Sequence, residues 1–315
     1  MEEIYVETQA LTVTETTAKS ISETVAPTET EATVQAATEA PAQIVAETTP
    51  QTLSGTVDED GQVELQLESG ESYTGQMVDG IRSGFGKMTL VDGSEYEGNW
   101  ENDMRCGEGT YSWADGSVYT GNWENDVRSG QGTMVYADGS TYKGSWVNDR
   151  RSGEGSYTWP TGASYDGEWV DDMRSGVGSM SYADGSAYVG QWAADQRNGK
   201  GALQKADGSI YEGDFLNNIC HGQGKMTYAN GDVYEGGWEQ DYRSGFGKMT
   251  YASGQVYEGE WKENVRWGEG TFTWPDGDSY SGGWEQDVRS GFGKYTFADG
   301  SFVECQWEND APIEE

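Results

Sequence analysis

Apolar and polar positions alternate with period two in short runs, and the runs recur every 23 residues. Tyr119, Gly121 and Trp123 alternate with Thr120 and Asn122, and Gly130, Gly132, Met134 and Tyr136 alternate with Gln131, Thr133 and Val135. Each run has the signature of a strand with one apolar face. Between them, Glu124-Asn125-Asp126-Val127-Arg128-Ser129 reads as a polar turn. Ala137-Asp138-Gly139-Ser140 closes the unit, and Asp-Gly between alternating runs signals a hairpin. Helix is excluded, because no run has a 3.6-residue period and glycine falls every few positions. Gly121, Gly130 and Gly132 are expected to leave room on the apolar face for rings of adjacent strands.

The Tyr-x-Gly-x-Trp core repeats without insertion or deletion as Tyr96/Trp100, Tyr119/Trp123, Tyr142/Trp146, Tyr165/Trp169, Tyr188/Trp192, Tyr211/Phe215, Tyr234/Trp238, Tyr257/Trp261 and Tyr280/Trp284, after a weaker copy at Tyr73. These rows are expected to be structural, with an outward residue such as Glu168 nearly neutral. A fixed short period defines an array in which each unit touches only its neighbours. The fold class is all-β: an elongated single sheet of stacked antiparallel hairpins with a disordered N-terminal tail. The expected organisation is a disordered acidic Thr/Glu/Ala-rich tether over 1–54, an N-terminal cap half-repeat over 55–72, the array over 73–302, and a C-terminal cap half-repeat and tail over 303–315. Proline agrees: Pro160 and Pro275 fall in turns, and no proline interrupts a strand.

Composition narrows the function. The net charge of −36 repels phosphates, so nucleic acid is excluded as a partner and anionic membranes are disfavoured. Cys106, Cys220 and Cys305 lie too many repeats apart for an intramolecular bridge, given roughly 10 Å of advance per hairpin and a reach of about 7 Å. Neither EF-hand nor β-roll calcium spacing is present, and no metal or cofactor is expected. The single histidine, His221, has no nucleophile arranged around it, so no catalytic residue is expected and the chain reads as no enzyme. The N-terminal segment has the composition of a surface-protein stalk. That places the protein outside the cytoplasm or at the cell surface if a signal or anchor precedes Met1, and in the cytoplasm otherwise.

The unit Tyr-x-Gly-x-Trp-x7-Gly-x-Gly-x-[Tyr/Met]-x-[Tyr/Trp]-x-Asp-Gly resembles the MORN (membrane occupation and recognition nexus) repeat over residues 61–310. The resemblance implies a twisted antiparallel sheet of hairpins that serves as a scaffold or as a module binding proteins or phospholipids. At the first turn Asp103, Asp126, Asp149, Asp172, Asp195, Asp241 and Asp287 stand where the family has glycine, each two residues before an arginine such as Arg128. Each turn is therefore expected to carry its own neutralising Asp/Arg pair along a solvated edge.

Four off-pattern aromatics form the candidate interaction surface. Phe85, Phe246 and Phe292 fall between two glycines, opposite the Tyr/Trp rows by strict alternation, and Trp267 replaces the turn serine. The leading expectation is a non-enzymatic scaffold that binds a protein partner, with a second copy of the chain the first to test. The alternatives are a cell-wall or carbohydrate-binding module that stacks sugars along the aromatic groove, and a phospholipid-binding module.

Overall fold

A computed structural model describes residues 54–57, 59 and 61–313, and the tether expected over 1–54 lies outside them but for Ser54. The described residues form twenty-four strands, from β1 (Ser54–Val57) to β24 (Ala311–Pro312), in one open antiparallel sheet without helix. Each strand pairs with its predecessor and successor in sequence, so the sheet is a meander of hairpins. At the N-terminal end, β1 adds a strand that the sequence pattern did not announce, pairing with β2 (Val63–Gln66). At the other end β24 contains Pro312, whose missing N–H blunts the open edge.

One repeat explains the rest. β7 (Val118–Glu124) and β8 (Val127–Val135) are joined by Asn125 and Asp126 alone, both in the left-handed region at φ 48° and 69°. The turn is therefore two residues rather than six, and Arg128 and Ser129 belong to a strand. Two successive left-handed residues match the twist of the flanking strands, and Asn and Asp tolerate that conformation through their short polar side chains. The far loop is longer: Gly139 N–H donates to Tyr136 O at 2.9 Å, and Gly139 sits at φ 86°.

The inner face carries the core. Its tyrosine row, Tyr73, Tyr96, Tyr119, Tyr142, Tyr165, Tyr188, Tyr211, Tyr234, Tyr257 and Tyr280, is 0–1 % exposed throughout. Tyr119 lies flat across the cross-strand pair Gly121 and Gly132, where any Cβ would overlap its ring or the facing backbone. Its buried hydroxyl donates to Asn122 O at 3.0 Å. The indoles of Trp123 and, one repeat on, Trp146 meet the Tyr119 ring edge-on at 5.2 and 5.4 Å. Trp123 Nε1 in turn donates to Gly109 O of the preceding repeat at 3.2 Å. The small residues thus let rings lie on the backbone, and each ring bridges to the next repeat. Full burial of such rings stabilises by roughly 2–3 kcal/mol each.

Gly130 does something else. It sits at φ 65° inside a bulge where β8 carries two residues more than β7 between the pairs Gly121↔Gly132 and Trp123↔Arg128. It makes no room for rings, since a Cβ there would meet Asn122. The side chain at this outward position plugs the bulge: Glu168, the counterpart of Ser145 one repeat on, accepts from Val177 N–H at 2.8 Å. Glu168 is therefore held in place, not free as its outward position suggested.

A buried serine row ties the far loops together, as when Ser117 Oγ accepts from Ala137 N–H at 3.0 Å. Ser140 Oγ is buried without a partner. The residue twenty positions on, which supplies the donor elsewhere, is here Pro160 and has no N–H.

Candidate functional site

Two surfaces of the array could meet a partner, and their chemistry differs. The inner face is largely covered by its own side chains, apart from a recess of about 710 Å³ lined by Tyr228, Arg243, Tyr251, Trp261 and Arg266. Arg128 stacks on Trp146 at 4.3 Å, its Nε donates to Asp149 Oδ1 at 2.9 Å, and its Nη2 donates to Asp149 O at 2.9 Å. Asp149 also takes the Arg128 backbone N–H on Oδ1 at 3.0 Å. The pair therefore joins neighbouring repeats, which corrects the expectation of an Asp/Arg pair within each turn. The same link recurs from Arg82–Asp103 through Arg289–Asp310. Its arginine side chains are only 18–25 % exposed, so they form a cover over the indoles rather than a solvated edge.

The alternation of residues alone leaves the indole row as a groove open to sugars, and the structure corrects this ring by ring. Arg82 lies over Trp100 at 4.1 Å, and Arg151 over Trp169 at 4.4 Å. Arg174 covers Trp192 at 4.4 Å, and Arg266 covers Trp284 at 4.2 Å. Trp123 and Trp261 are capped in the same way by Arg105 and Arg243. Register is the cause. The bulge glycine two residues after each arginine pairs with the tryptophan, as Gly84 does with Trp100 and Gly176 with Trp192, so the guanidinium comes to rest beside that ring. All of these indoles, with Trp238, are buried. Their covered faces take the indole row itself out of a stacking track, while Trp113, Tyr136, Trp159, Tyr182, Tyr228, Tyr251 and Trp274 beside it are only partly buried.

One link departs from the pattern. Cys220 occupies the arginine position and is buried, and its N–H donates to Asp241 Oδ1 at 2.8 Å. Burial and then the adjoining Asp241 carboxylate push its thiol up to about 12. In the preceding link Arg197 meets Phe215 at 5.4 Å and Asn218 in place of an aspartate. Among the described residues no group of three or more His, Cys, Asp or Glu is placed to hold a metal ion, and Cys106, Cys220 and Cys305 are all free thiols.

The outer face carries exposed rings. Phe85, Phe246 and Phe292 stand 51 %, 64 % and 61 % exposed there, one residue from the bulge glycine in each case. Trp267 differs from its expected place: it lies within strand β20 (Val265–Thr273), not in a turn, and is half-buried with Lys262 Nζ 4.6 Å above its ring. Phe85 and Phe246 each border a recess, of about 670 and 500 Å³. The recess beside Phe85 contains Glu97, Glu108 and Thr110, and that beside Phe246 contains Glu258, Glu269 and Thr271. These carboxylates were not singled out from the sequence. The signal was available as a longer repeat: Ser83–Thr89 recurs letter for letter as Ser244–Thr250, and Gly107–Thr110 recurs as Gly268–Thr271.

An open meander of 23-residue hairpins, largely covered on one face by Tyr, Trp and Arg, is a one-layer repeat array. The MORN repeat profile matches ten consecutive units over residues 73–302, and the chain belongs to the MORN repeat family. A search of curated proteins finds no match. Among solved structures the chain is similar to the TCP10 domain of Danio rerio CPAP in complex with a peptide of Danio rerio STIL. That likeness has 12 % identity and a TM-score of 0.27, and covers 81 % of this chain and 100 % of the other. A second likeness is to the SAS-4 (dCPAP) TCP domain of Drosophila melanogaster in complex with a proline-rich motif of Ana2 (dSTIL), at 13 % identity and a TM-score of 0.32, covering 49 % of this chain and 85 % of the other.

Proposed function

We propose that this MORN array is a non-enzymatic scaffold that binds a protein partner along its outer face. One observation carries the reading: three phenylalanine rings stand more than half exposed, in the same register, on the outer face. Exposed rings on a repetitive surface carry a solubility cost that partner burial offsets, and aromatic residues anchor protein interfaces. A sheet with repeated surface positions suits simultaneous contacts with one extended partner.

Affinity capture with the wild-type array and with the triple variant Phe85→Ser, Phe246→Ser, Phe292→Ser tests this. The variant should keep its melting temperature and lose the captured proteins. Capture unchanged by the triple substitution removes the outer face from consideration.

A further inference from the structure

The two recesses on the outer face are related by the repeat. Phe85 and Phe246 are 161 residues apart, seven periods of 23. Three lining positions match, Glu97 with Glu258, Glu108 with Glu269, and Thr110 with Thr271, while Glu95 of the first recess is replaced by Val256 in the second. Behind each carboxylate pair stands a hydroxyl pair, Thr110–Thr120 at 3.1 Å and Thr271–Ser281 at 3.0 Å. Paired cross-strand glycines, Gly98↔Gly109 and Gly259↔Gly270, run through each floor.

The local register explains why these places are recessed. Phe85 lies opposite Asn99, and Lys87 opposite Glu97, between β4 (Ile81–Thr89) and β5 (Glu95–Glu101). The next strand, β6 (Met104–Ser112), contributes Glu108 and the short Thr110, a position held by lysine in four repeats, as at Lys87 and Lys248. A bulky ring is thus followed by small hydroxyls, with carboxylates on either side. Lys87 is engaged by Glu95 at 2.8 Å, which leaves Glu97 and Glu108 without an ion pair among the described residues. Glu258 and Glu269 likewise have no ion pair among the described residues, although Val256 replaces the glutamate that engages Lys87 and Lys248 lies opposite Glu258 across the strands.

The protein displays the matching chemistry within itself. Further along the same face, Lys294 Nζ lies 3.9 Å from the Phe302 ring and 3.5 Å from Glu304 Oε1. A phenyl ring with a carboxylate beside it therefore holds an ammonium group on this surface. A cation over a ring is attracted by the ring quadrupole, and the carboxylate adds Coulomb attraction.

We infer that the Phe85 and Phe246 recesses, which share a ring, two carboxylates and a threonine, are two related docking sites for lysine or arginine side chains of a basic protein segment. The inference rests on the scaffold reading and names the partner's chemistry. Charge complementarity selects this occupant over a second copy of the chain, whose own net charge of −36 opposes self-pairing. Long basic side chains also suit the shape, with an apolar stem against the ring and a charged head at the carboxylates.

Titration calorimetry of the full chain with pentaarginine, in about 0.15 M salt where distant surface charges are screened, is the test. Pentacitrulline serves as the uncharged control. Two saturable sites per chain are expected, with no binding of the control. The pair Glu97→Gln and Glu108→Gln should reduce the stoichiometry to one, as should Glu258→Gln with Glu269→Gln. Phe85→Ser and Phe246→Ser should each weaken one site about tenfold. Glu154→Gln with Glu212→Gln removes the same charge from the outer face outside both recesses and should leave both sites intact. Equal losses from this control pair, or binding without a stoichiometry of two, overturn the inference as mere polyanion behaviour. If pentaarginine fails to bind while partner capture still depends on the phenylalanines, the basic occupant is wrong and the scaffold reading stands.

Discussion

The guanidinium of Arg128 lies 4.3 Å from the ring of Trp146, a residue of the following repeat, and is held there by Asp149. This contact joins consecutive repeats at the end of their paired strands away from the far loop that connects them. In an array where stability is a sum of unit and neighbour terms, it belongs to the neighbour term. Asp149 reaches it by adopting φ 65°, which turns its N–H toward Arg128 O at 3.1 Å while its carboxylate accepts from the Arg128 N–H and Nε.

Arg128→Ala should therefore destabilise the array by about 2–3 kcal/mol, combining loss of a half-buried cation–π contact with loss of charge-assisted hydrogen bonds. Arg128→Lys should recover less than half, because an ammonium cannot stack and reach both Asp149 oxygens. Urea unfolding of the two variants measures this. Full rescue by lysine would show that only charge matters.

Cys220→Arg should stabilise the protein. Trp238 and Asp241 already stand where the other repeats place the partners of an arginine, and Asp241 makes its backbone contact with residue 220. A gain of about 1–2 kcal/mol is expected from restoring the link, read as a higher melting temperature. A fall would mean the neighbouring repeats have closed around the thiol. In the wild type, the raised thiol should react slowly with alkylating reagents at neutral pH.

The glycines should separate into two classes. Gly132→Ala places a methyl group in the Tyr119 ring and should cost about 3 kcal/mol or more. Gly130→Asn should cost under about 1 kcal/mol, because asparagine tolerates φ 65° and the nearest obstacle is the Asn122 side chain. Comparable losses from both would contradict the distinct roles of floor and bulge.

Alkali should unfold the array cooperatively. Burial pushes the hydroxyls of Tyr73, Tyr119 and Tyr280 up to about 12, and raises the rest of the row as well. An unfolded tyrosine titrates near 10, so above that pH the unfolded state binds fewer protons than the native one, and stability falls as pH rises. It should be fully present below about pH 10 and decline through pH 12. Circular dichroism against pH, alongside phenolate absorbance, checks it: the two should change together.

Vesicles of phosphatidylserine should not sediment the protein near physiological salt. Exposed carboxylates crowd the outer face, and the arginines of the inner face are committed to Asp149 and its equivalents. Salt-sensitive co-sedimentation would reinstate the lipid reading.

Strand faces, period and far-loop positions were all legible in the chain, because they depend on residues a few positions apart. Tyr119, Gly121 and Trp123 must share a face of any strand, and Asp138-Gly139 must turn. What the chain did not disclose is set by pairing between hairpins. The two extra residues of β8 around Gly130 shift its register, bringing Arg128 to the turn of the next repeat, so its partner is Asp149 and not the nearby Asp126. That shift also decides whether Trp100, Trp169, Trp192 and Trp284 line a groove or lie under arginines. The same non-local register sets Glu108 and Thr110 beside the Phe85 recess and leaves Ser140 facing a proline. Alternation assigns a side chain to a face; only the stacking of one hairpin on another decides which neighbour it meets there.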